Sequence, residues 1–396
     1  MKFIKKALLV TTVSGFVPQF EMSNVHILQS MGYEVHYATN FKTPSYGNDN
    51  HRLEGTGIIQ HQVDFNRSPF KLKNIYIYIQ LKKLMQKEQF DLVHCHTPMG
   101  GVMARLAAYT TKTLPIIYTA HGFHFFKGAP VFNWLFYYPM EKFLSYFTDE
   151  QICINREDYE LAKKHFHAKH VDYIPGVGID IGNKHKTIDK ALKKQKLKLP
   201  EDKIILLSCG ELIKRKNHET IIRAIAHLQQ GYSTNSKDTS INFHYVICGH
   251  GKLERYLHNL VEELKVSDHV SFLGYREDML EIYQIADLFL FPSFQEGLPM
   301  ALLEAMAFGL PVICSDIRGS RDLMGKYAEH TWDYCEGGII IKQADDVLAY
   351  SQAINLLSQN RKLMGEMGEK NIDRAELFSK QHVKETMSEI YYRLSE

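Results

Sequence analysis

Short apolar runs alternate with helical patterns along most of this chain, and few architectures accept that order. Ala7–Thr11, Glu34–Ala38, Asp91–Cys95, Pro115–Thr119 and Gln151–Ile154 read as strands. The stretches near 19–31, 71–89, 98–110, 131–146 and 156–166 carry helical spacing between them. Strands that alternate with helices predict a parallel sheet covered on both faces. Phe41 to Phe70 is less regular and reads as a hairpin or loop ending in Arg67-Ser-Pro-Phe70. The pattern breaks at Tyr173-Ile-Pro-Gly-Val-Gly-Ile-Asp180, which places an interdomain linker at about 174–182. After a Lys-rich polar tract, a second series runs through Lys203–Ser208, His244–Cys248, Val270–Leu273, Leu288–Phe291 and Val312–Cys314. Gly231 to Ser240 reads as a polar surface loop, and Ser379–Leu394 as an amphipathic helix. The expectation is α/β, with one domain over 1–178, a second over 179–376 and a final helix over 377–396.

Composition narrows the partners. A formal net charge of +2 over 396 residues offers no strong field for a polyanion, so no nucleic-acid partner is expected. The six cysteines are scattered without metal-like spacing and read as reduced thiols of a cytoplasmic protein. The apolar run after Lys5-Lys6 stops at Thr11-Thr12, too short for a secretory segment and suited to a first strand. No stretch is apolar for long enough to span a membrane.

The chemistry concentrates in 289–313. Phe289-Leu-Phe-Pro-Ser ends a buried strand, Gly297 and Pro299 open a helix, and Gly309-Leu-Pro311 closes it. The first amides of such a helix lack backbone partners and, with the helix dipole, favour a phosphate. Glu296 and Glu304 flank that cradle, about two helical turns apart. Carboxylates beside an anion site make sense as acceptors for ligand hydroxyls, such as those of a sugar or ribose. On the residues alone, a capped helix with two solvated acids remains open.

The segment Glu296-Gly-Leu-Pro-Met-Ala-Leu-Leu-Glu304, with Phe-Pro-Ser before it and Gly-Leu-Pro-Val after it, resembles the Glu-x7-Glu motif of retaining glycosyltransferases of family 4. The resemblance covers nearly the whole chain and implies the GT-B fold: two Rossmann-like domains facing across a cleft, with the last helix crossing back to the first domain. It implies that Glu296 and the Gly297, Leu298 and Pro299 amides meet the donor sugar and diphosphate, and that Glu304 holds the ribose. Lys216 matches the family's lysine in Cys209-Gly-Glu-Leu-Ile-Lys-Arg-Lys-Asn217. Glu211 stands where the family has arginine and Asn217 where it has glycine, so Arg215 is the candidate to replace the missing cation. Gly249, with Gly251, would line the nucleotide side, and Tyr275 or Arg276 would lie by the base. Gly15, in the turn after the first strand, would let backbone approach the diphosphate.

In the N-terminal half, Tyr118-Thr-Ala-His121-Gly matches the family's strand-end histidine, which approaches the donor sugar, while His124 reads as structural. His94 and His96 have two-ligand spacing on a strand, but no third ligand is near in sequence. No metal site is expected. His94 reads as core, His96 as a loop residue of the acceptor site, and Arg67 as a second acceptor candidate, with a surface ion pair equally open for it. A basic amphipathic stretch from Lys71 and an aromatic one from Phe125 to Tyr138 could dock on a membrane surface or form an ordinary helix face.

The stretch Thr119 to Lys163, with Ser315-Asp-Ile-Arg-Gly-Ser-Arg-Asp322, resembles the capsule and exopolysaccharide branch. The implied function is a retaining, metal-independent transfer of a sugar, with an N-acetylhexosamine among the candidates. The donor would be a nucleotide-sugar, UDP-linked by preference, with no further cofactor. The acceptor would be an undecaprenyl-diphosphate-linked glycan at the inner face of the cell membrane. Two other readings stay open: a nucleotide-sugar epimerase on the same fold, and a non-catalytic sugar-nucleotide-binding partner of an assembly complex.

Overall fold

The computed structural model describes residues 4–43, 50–66, 68–180, 188–235 and 242–395, and the chain divides into two units. The first comprises Met1–Gly178 and Lys380–Glu396. It runs β1 (Lys5–Val10), α1 (Met22–Ser30), β2 (Tyr33–Thr39), β3 (Ile59–Gln62), α2 (Lys73–Glu88), β4 (Leu92–His96), α3 (Pro98–Thr111), β5 (Ile116–Ala120), α4 (Val131–Ser145), β6 (Glu150–Cys153), α5 (Arg156–His165) and β7 (His170–Tyr173). The sheet order is β3-β2-β1-β4-β5-β6-β7, and every pairing is parallel.

Period-two alternation divides the apolar residues of β1 between two cores. Leu8 and Val10 join the cluster under α2 and α3, whereas Ala7 and Leu9 join the one under α1. A strand buried on both faces is mostly apolar, and Ala7 to Val10 has no polar interruption.

The second unit, Ile179–Ser379, repeats the plan. It runs α6 (Lys190–Lys196), β8 (Ile204–Cys209), α7 (His218–Asn235), β9 (Phe243–Cys248), α8 (Glu254–Glu263), β10 (Val270–Gly274), α9 (Met279–Ile285), β11 (Leu288–Phe291), α10 (Met300–Ala307), β12 (Val312–Ser315), α11 (Arg318–Met324), β13 (Trp332–Cys335), β14 (Gly338–Ile341), α12 (Val347–Ser358) and α13 (Arg361–Glu376). The order is β10-β9-β8-β11-β12-β14-β13, parallel except for the β13–β14 edge. Side-chain caps start several helices: Asp189, Asp346 and Asn360 each accept from a backbone N–H three residues on.

The last helix, α14 (Lys380–Ser395), belongs to the first unit. Val383, Met387, Ile390 and Tyr391 enter the core beneath α1, and Arg393 pairs with Glu150 and Asp172. The chain leaves the first unit after Gly178 and returns after Ser379. Ile179 N donates to Phe378 O at 3.0 Å beside those points.

Two local expectations are corrected. Among the described residues of the 41–70 stretch, β3 pairs parallel with β2 and no hairpin forms. Of the loop expected over 231–240, residues 231–235 are the end of α7, and 236–240 lie outside the described residues. The polar tract after the linker contains α6, whose Lys193 is drawn into ion pairs with Asp278 and Glu281.

Candidate functional site

In the second unit, the turn between β11 and α10 brings the motif residues together. Glu296 Oε1 lies 2.6 Å from Arg215 Nη1 and 2.7 Å from Lys216 Nζ. These contacts are close but not aligned as hydrogen bonds, so one oxygen balances two cations without directional bonding. Lys216 Nζ also sits 5.5 Å from the Phe291 ring centroid. Arg215 further donates to Gln295 O at 3.0 Å. Arg215 and Lys216 form a one-turn 3-10 segment, Lys214–Lys216, after β8.

Asn217 ends that segment at φ 55°, a left-handed conformation in which asparagine is the best non-glycine choice. Its buried amide donates to Pro292 O at 3.0 Å and Ala344 O at 2.7 Å. The exchange of glycine for asparagine therefore keeps the turn and adds a clamp on the strand end. Glu211, at the family's arginine position, is exposed.

Leu298 and Pro299 are buried, and Pro299 occupies the N-cap of α10 without a side-chain cap. Gly319, on α11, packs so closely that an added Cβ would lie 2.4 Å from Gly297 O. Arg318 Nε donates to Glu296 O at 3.2 Å. The turn is thus braced from α11, a support the motif does not reveal. Glu304 accepts from Tyr283 Oη at 2.8 Å, and Tyr283 stacks on Phe308. Burial, and then the charge of Glu304, push the Tyr283 hydroxyl well above its usual pKa. That tyrosine had no signal in the sequence.

Gly249 is explained by packing: a Cβ there would lie 1.9 Å from Gly210 O. Tyr275 is exposed, and Arg276 grips Asp278 through two hydrogen bonds of 2.8 and 2.6 Å. The neutral His218 imidazole is buried, and its pKa is lowered to about 4 by desolvation and the Lys216 charge.

In the first unit, strand ends gather histidines. His94 is fully buried, bonded to Tyr391 Oη at 2.7 Å and Thr119 Oγ1 at 2.8 Å. His96, expected in a loop, is instead the fully buried last residue of β4, and its Nδ1 lies 3.2 Å from His121 Nε2. Glu21, the last residue of a π-helical turn spanning Val17–Glu21, faces both. Such turns gather at functional positions. Burial lifts the Glu21 carboxyl to about 8 and lowers His121 to about 4. Thr97, next to His96, holds φ 64° and ψ 148°, strained for a residue other than glycine. Its hydroxyl bonds Thr12 N at 3.0 Å and Thr12 Oγ1 at 2.7 Å, tying the turn after β1 to the end of β4. Gly15, in the former turn, is buried. Arg67 lies outside the described residues.

Two Rossmann-like sheets, one with a braced Glu-x7-Glu turn, define a glycosyltransferase of the GT-B fold class. HepE of Anabaena, solved in complex with UDP, superposes with a TM-score of 0.75 at 18% identity, covering 98% of this chain and 100% of that one. Residues 189–374 match the family described as Glycosyl transferases group 1, and residues 5–155 match Glycosyl transferase 4-like. The putative glycosyltransferase EpsD of Bacillus subtilis (strain 168) is 36% identical over 392 residues, 98% of this chain and 96% of its own. An Escherichia coli UDP-Gal:alpha-D-GlcNAc-diphosphoundecaprenol alpha-1,3-galactosyltransferase is 31% identical over 64% of this chain and 65% of its own. The chain belongs to the group 1 glycosyltransferases.

Proposed function

We propose that this protein is a retaining glycosyltransferase that moves a sugar from a UDP-sugar to a lipid-diphosphate-linked glycan in bacterial surface-polysaccharide synthesis. The observation that carries the reading is the Glu296 carboxylate between Arg215 and Lys216, at the mouth of a helix whose first amides are uncapped. A diphosphate would take over the two cations and the 297–299 amides, while Glu296 turns to the hydroxyls of the donor sugar. Glu304, oriented by Tyr283, would hold the ribose, Tyr275 and Arg276 would lie by the base, and Gly249 and Gly15 would bring backbone to the nucleotide and diphosphate. His121 would meet the reacting sugar, with His96 and Arg67 on the acceptor side.

In the proposed reaction the anomeric C–O bond to phosphate breaks and the acceptor oxygen bonds the same face of that carbon. The acceptor proton passes to the leaving phosphate oxygen. The protein contributes orientation and charge stabilisation. The E. coli relative's printed substrates support both the uridine donor and the undecaprenyl-diphosphate acceptor, and HepE's UDP complex supports the donor.

An apolar, basic face in the first unit suits a lipid-borne acceptor. Leu72 is 86% exposed, Leu135 75%, Phe70 67% and Phe132 56%. Phe70 and Phe132 both pack on Phe136, which joins the start of α2 to α4, and Lys71 and Lys73 lie beside them. No helix among the described residues is long and apolar enough to cross a membrane. Surface docking is the proposed mode.

The test incubates wild type, Glu296→Ala and Lys216→Ala with UDP-sugars and lipid extract from a glycan-producing cell. Wild type should form a glycolipid whose new linkage keeps the donor's anomeric configuration by NMR, and both variants should lose nearly all of it. An inverted linkage would end the retaining claim. Isomerised donor without transfer would favour an epimerase, and donor binding without turnover would favour a binding partner.

A further inference from the structure

Lys193, Arg276, Asp278 and Glu281 form a closed set of charges in the second unit, at the turn that follows β10. Arg276 donates to both oxygens of Asp278, from Nε to Oδ1 at 2.8 Å and from Nη2 to Oδ2 at 2.6 Å. Lys193 Nζ donates to the same Oδ2, and to Glu281 Oε2 at 2.6 Å. Lys193 comes from α6, 85 residues before Asp278. Its side chain is only 12% exposed, whereas Lys190, Lys196 and Lys198 of the same tract are exposed. Lysine is seldom withdrawn from water unless it is paired, and here two carboxylates pair it.

The charges in this set cancel. Two cations face two carboxylates, and the hydrogen bonds from Arg276 hold the Asp278 carboxyl well below the usual carboxylate range, so it stays an anion. At the turn before α10 the balance differs: Arg215 and Lys216 share one acid, Glu296, which leaves a positive excess for an anion. A balanced set suits a neutral partner that hydrogen-bonds instead. Part of the Arg276 fork is still available for one. A guanidinium carries five N–H donors in one plane. Asp278 takes those of Nε and one of Nη2, and Nη1 has no acceptor among the described residues. The carboxylate therefore fixes the plane of Arg276 and leaves its far edge for a ligand.

We propose that Lys193 and Asp278 are positioning residues that hold Arg276 to read a carbonyl oxygen of the donor's base, so that the site selects uracil over cytosine. The inference rests on the donor reading above, which sets the base beside Tyr275 and Arg276. Uracil carries a carbonyl oxygen where cytosine carries an amino group. An N–H edge bonds the first and meets the second donor to donor, and a site built to hydrogen-bond a group rejects the analogue that lacks it. Both bases share a further carbonyl, which an arginine free to turn would find in either. Only a fixed guanidinium tells them apart. Tyr275, exposed in the same turn, offers an aromatic face without that choice, because every base has a π-face. Lys193 acts through Asp278. Without its charge, two carboxylates that both reach its Nζ are left to repel one another, and the hold on Arg276 loosens.

The test measures binding of UDP, CDP and inorganic pyrophosphate to the full chain by calorimetry. Wild type should bind UDP at least about tenfold more tightly than CDP. Lys193→Met and Asp278→Asn should each cut that ratio to about threefold or less and leave pyrophosphate affinity unchanged. Lys193→Arg, which restores the cation, should keep the wild-type ratio. An ion pair that only braces the fold would lower all three affinities together or none of them. A preference for UDP that survives both Lys193→Met and Asp278→Asn overturns the inference. So does equal binding of UDP and CDP by wild type, a result that needs no variant to fold and leaves the donor site standing. Failure of wild type to bind any of the three ligands overturns the donor reading as well.

Discussion

Glu296→Gln should tighten the binding of UDP while abolishing transfer, a pairing that few active-site substitutions produce. Glu296 Oε1 stands 2.6 Å from Arg215 and 2.7 Å from Lys216, so an arriving diphosphate must compete with a carboxylate already in place. Glutamine keeps the shape and removes the charge. A unit charge about 6 Å from a phosphate, at an effective dielectric near 20, contributes about 3 kcal/mol. The Arg215 side chain is 39% exposed, and solvent screening should leave about 1–1.5 kcal/mol of that. UDP affinity should therefore rise roughly tenfold. Calorimetry at low and high salt reads this directly, and the gain should shrink with salt as screening grows. UDP-sugar should gain less than UDP, because the variant loses the acceptor for the sugar hydroxyls. If Glu296→Gln folds normally yet binds UDP equally or more weakly at low salt, Glu296 does not compete with phosphate for these cations.

Tyr283→Phe removes the donor to Glu304 and leaves a partly buried carboxylate less restrained; donor KM should rise about tenfold, for a loss of about 1–2 kcal/mol, with kcat less affected. Asn217→Ala combines left-handed strain with two deprived carbonyls and should cost about 3 kcal/mol, whereas Asn217→Gly, free of the strain, should cost about 1 kcal/mol less in thermal unfolding. His218 ties stability to pH. Its folded pKa of about 4 lies below the unfolded value of 6.5, so the unfolded chain binds the proton first. That contribution is complete above pH 6.5 and lost as pH falls towards 4, by about 3 kcal/mol. His218→Gln should flatten the loss in unfolding midpoints measured from pH 7 to pH 4. Phe132→Ser with Leu135→Ser should weaken cosedimentation with anionic vesicles without altering UDP binding; unchanged cosedimentation would remove the proposed membrane face.

The alternation of strands and helices was legible because central parallel strands are buried on both faces and read as near-continuous apolar runs. Residues 7–10 of β1, 204–207 of β8 and all of β11 show this. The edge strands hide for the same reason. β3 reads Ile-Gln-His-Gln and β7 His-Val-Asp-Tyr; both are largely unburied, and pairing with a neighbour rather than a pattern of their own makes them strands. The turn before α10 was legible because its signals are local: Glu296, Gly297 and Pro299 act through their own backbone. Its supports were not, since Tyr283 and Arg318 reach it from 21 and 22 residues away. The histidines show what a pattern read along the chain cannot supply. His96 has no polar partner near it in sequence, yet Glu21 and His121 face it in the fold. In a parallel sheet every βα turn opens on the same edge, so the end of β4 must meet the end of β5. The register pairs His96 with Thr119, two residues before His121. Topology, rather than spacing, therefore sets which polar side chains can act together, and in this unit it makes a lone His-x-His one corner of a three-sided cluster.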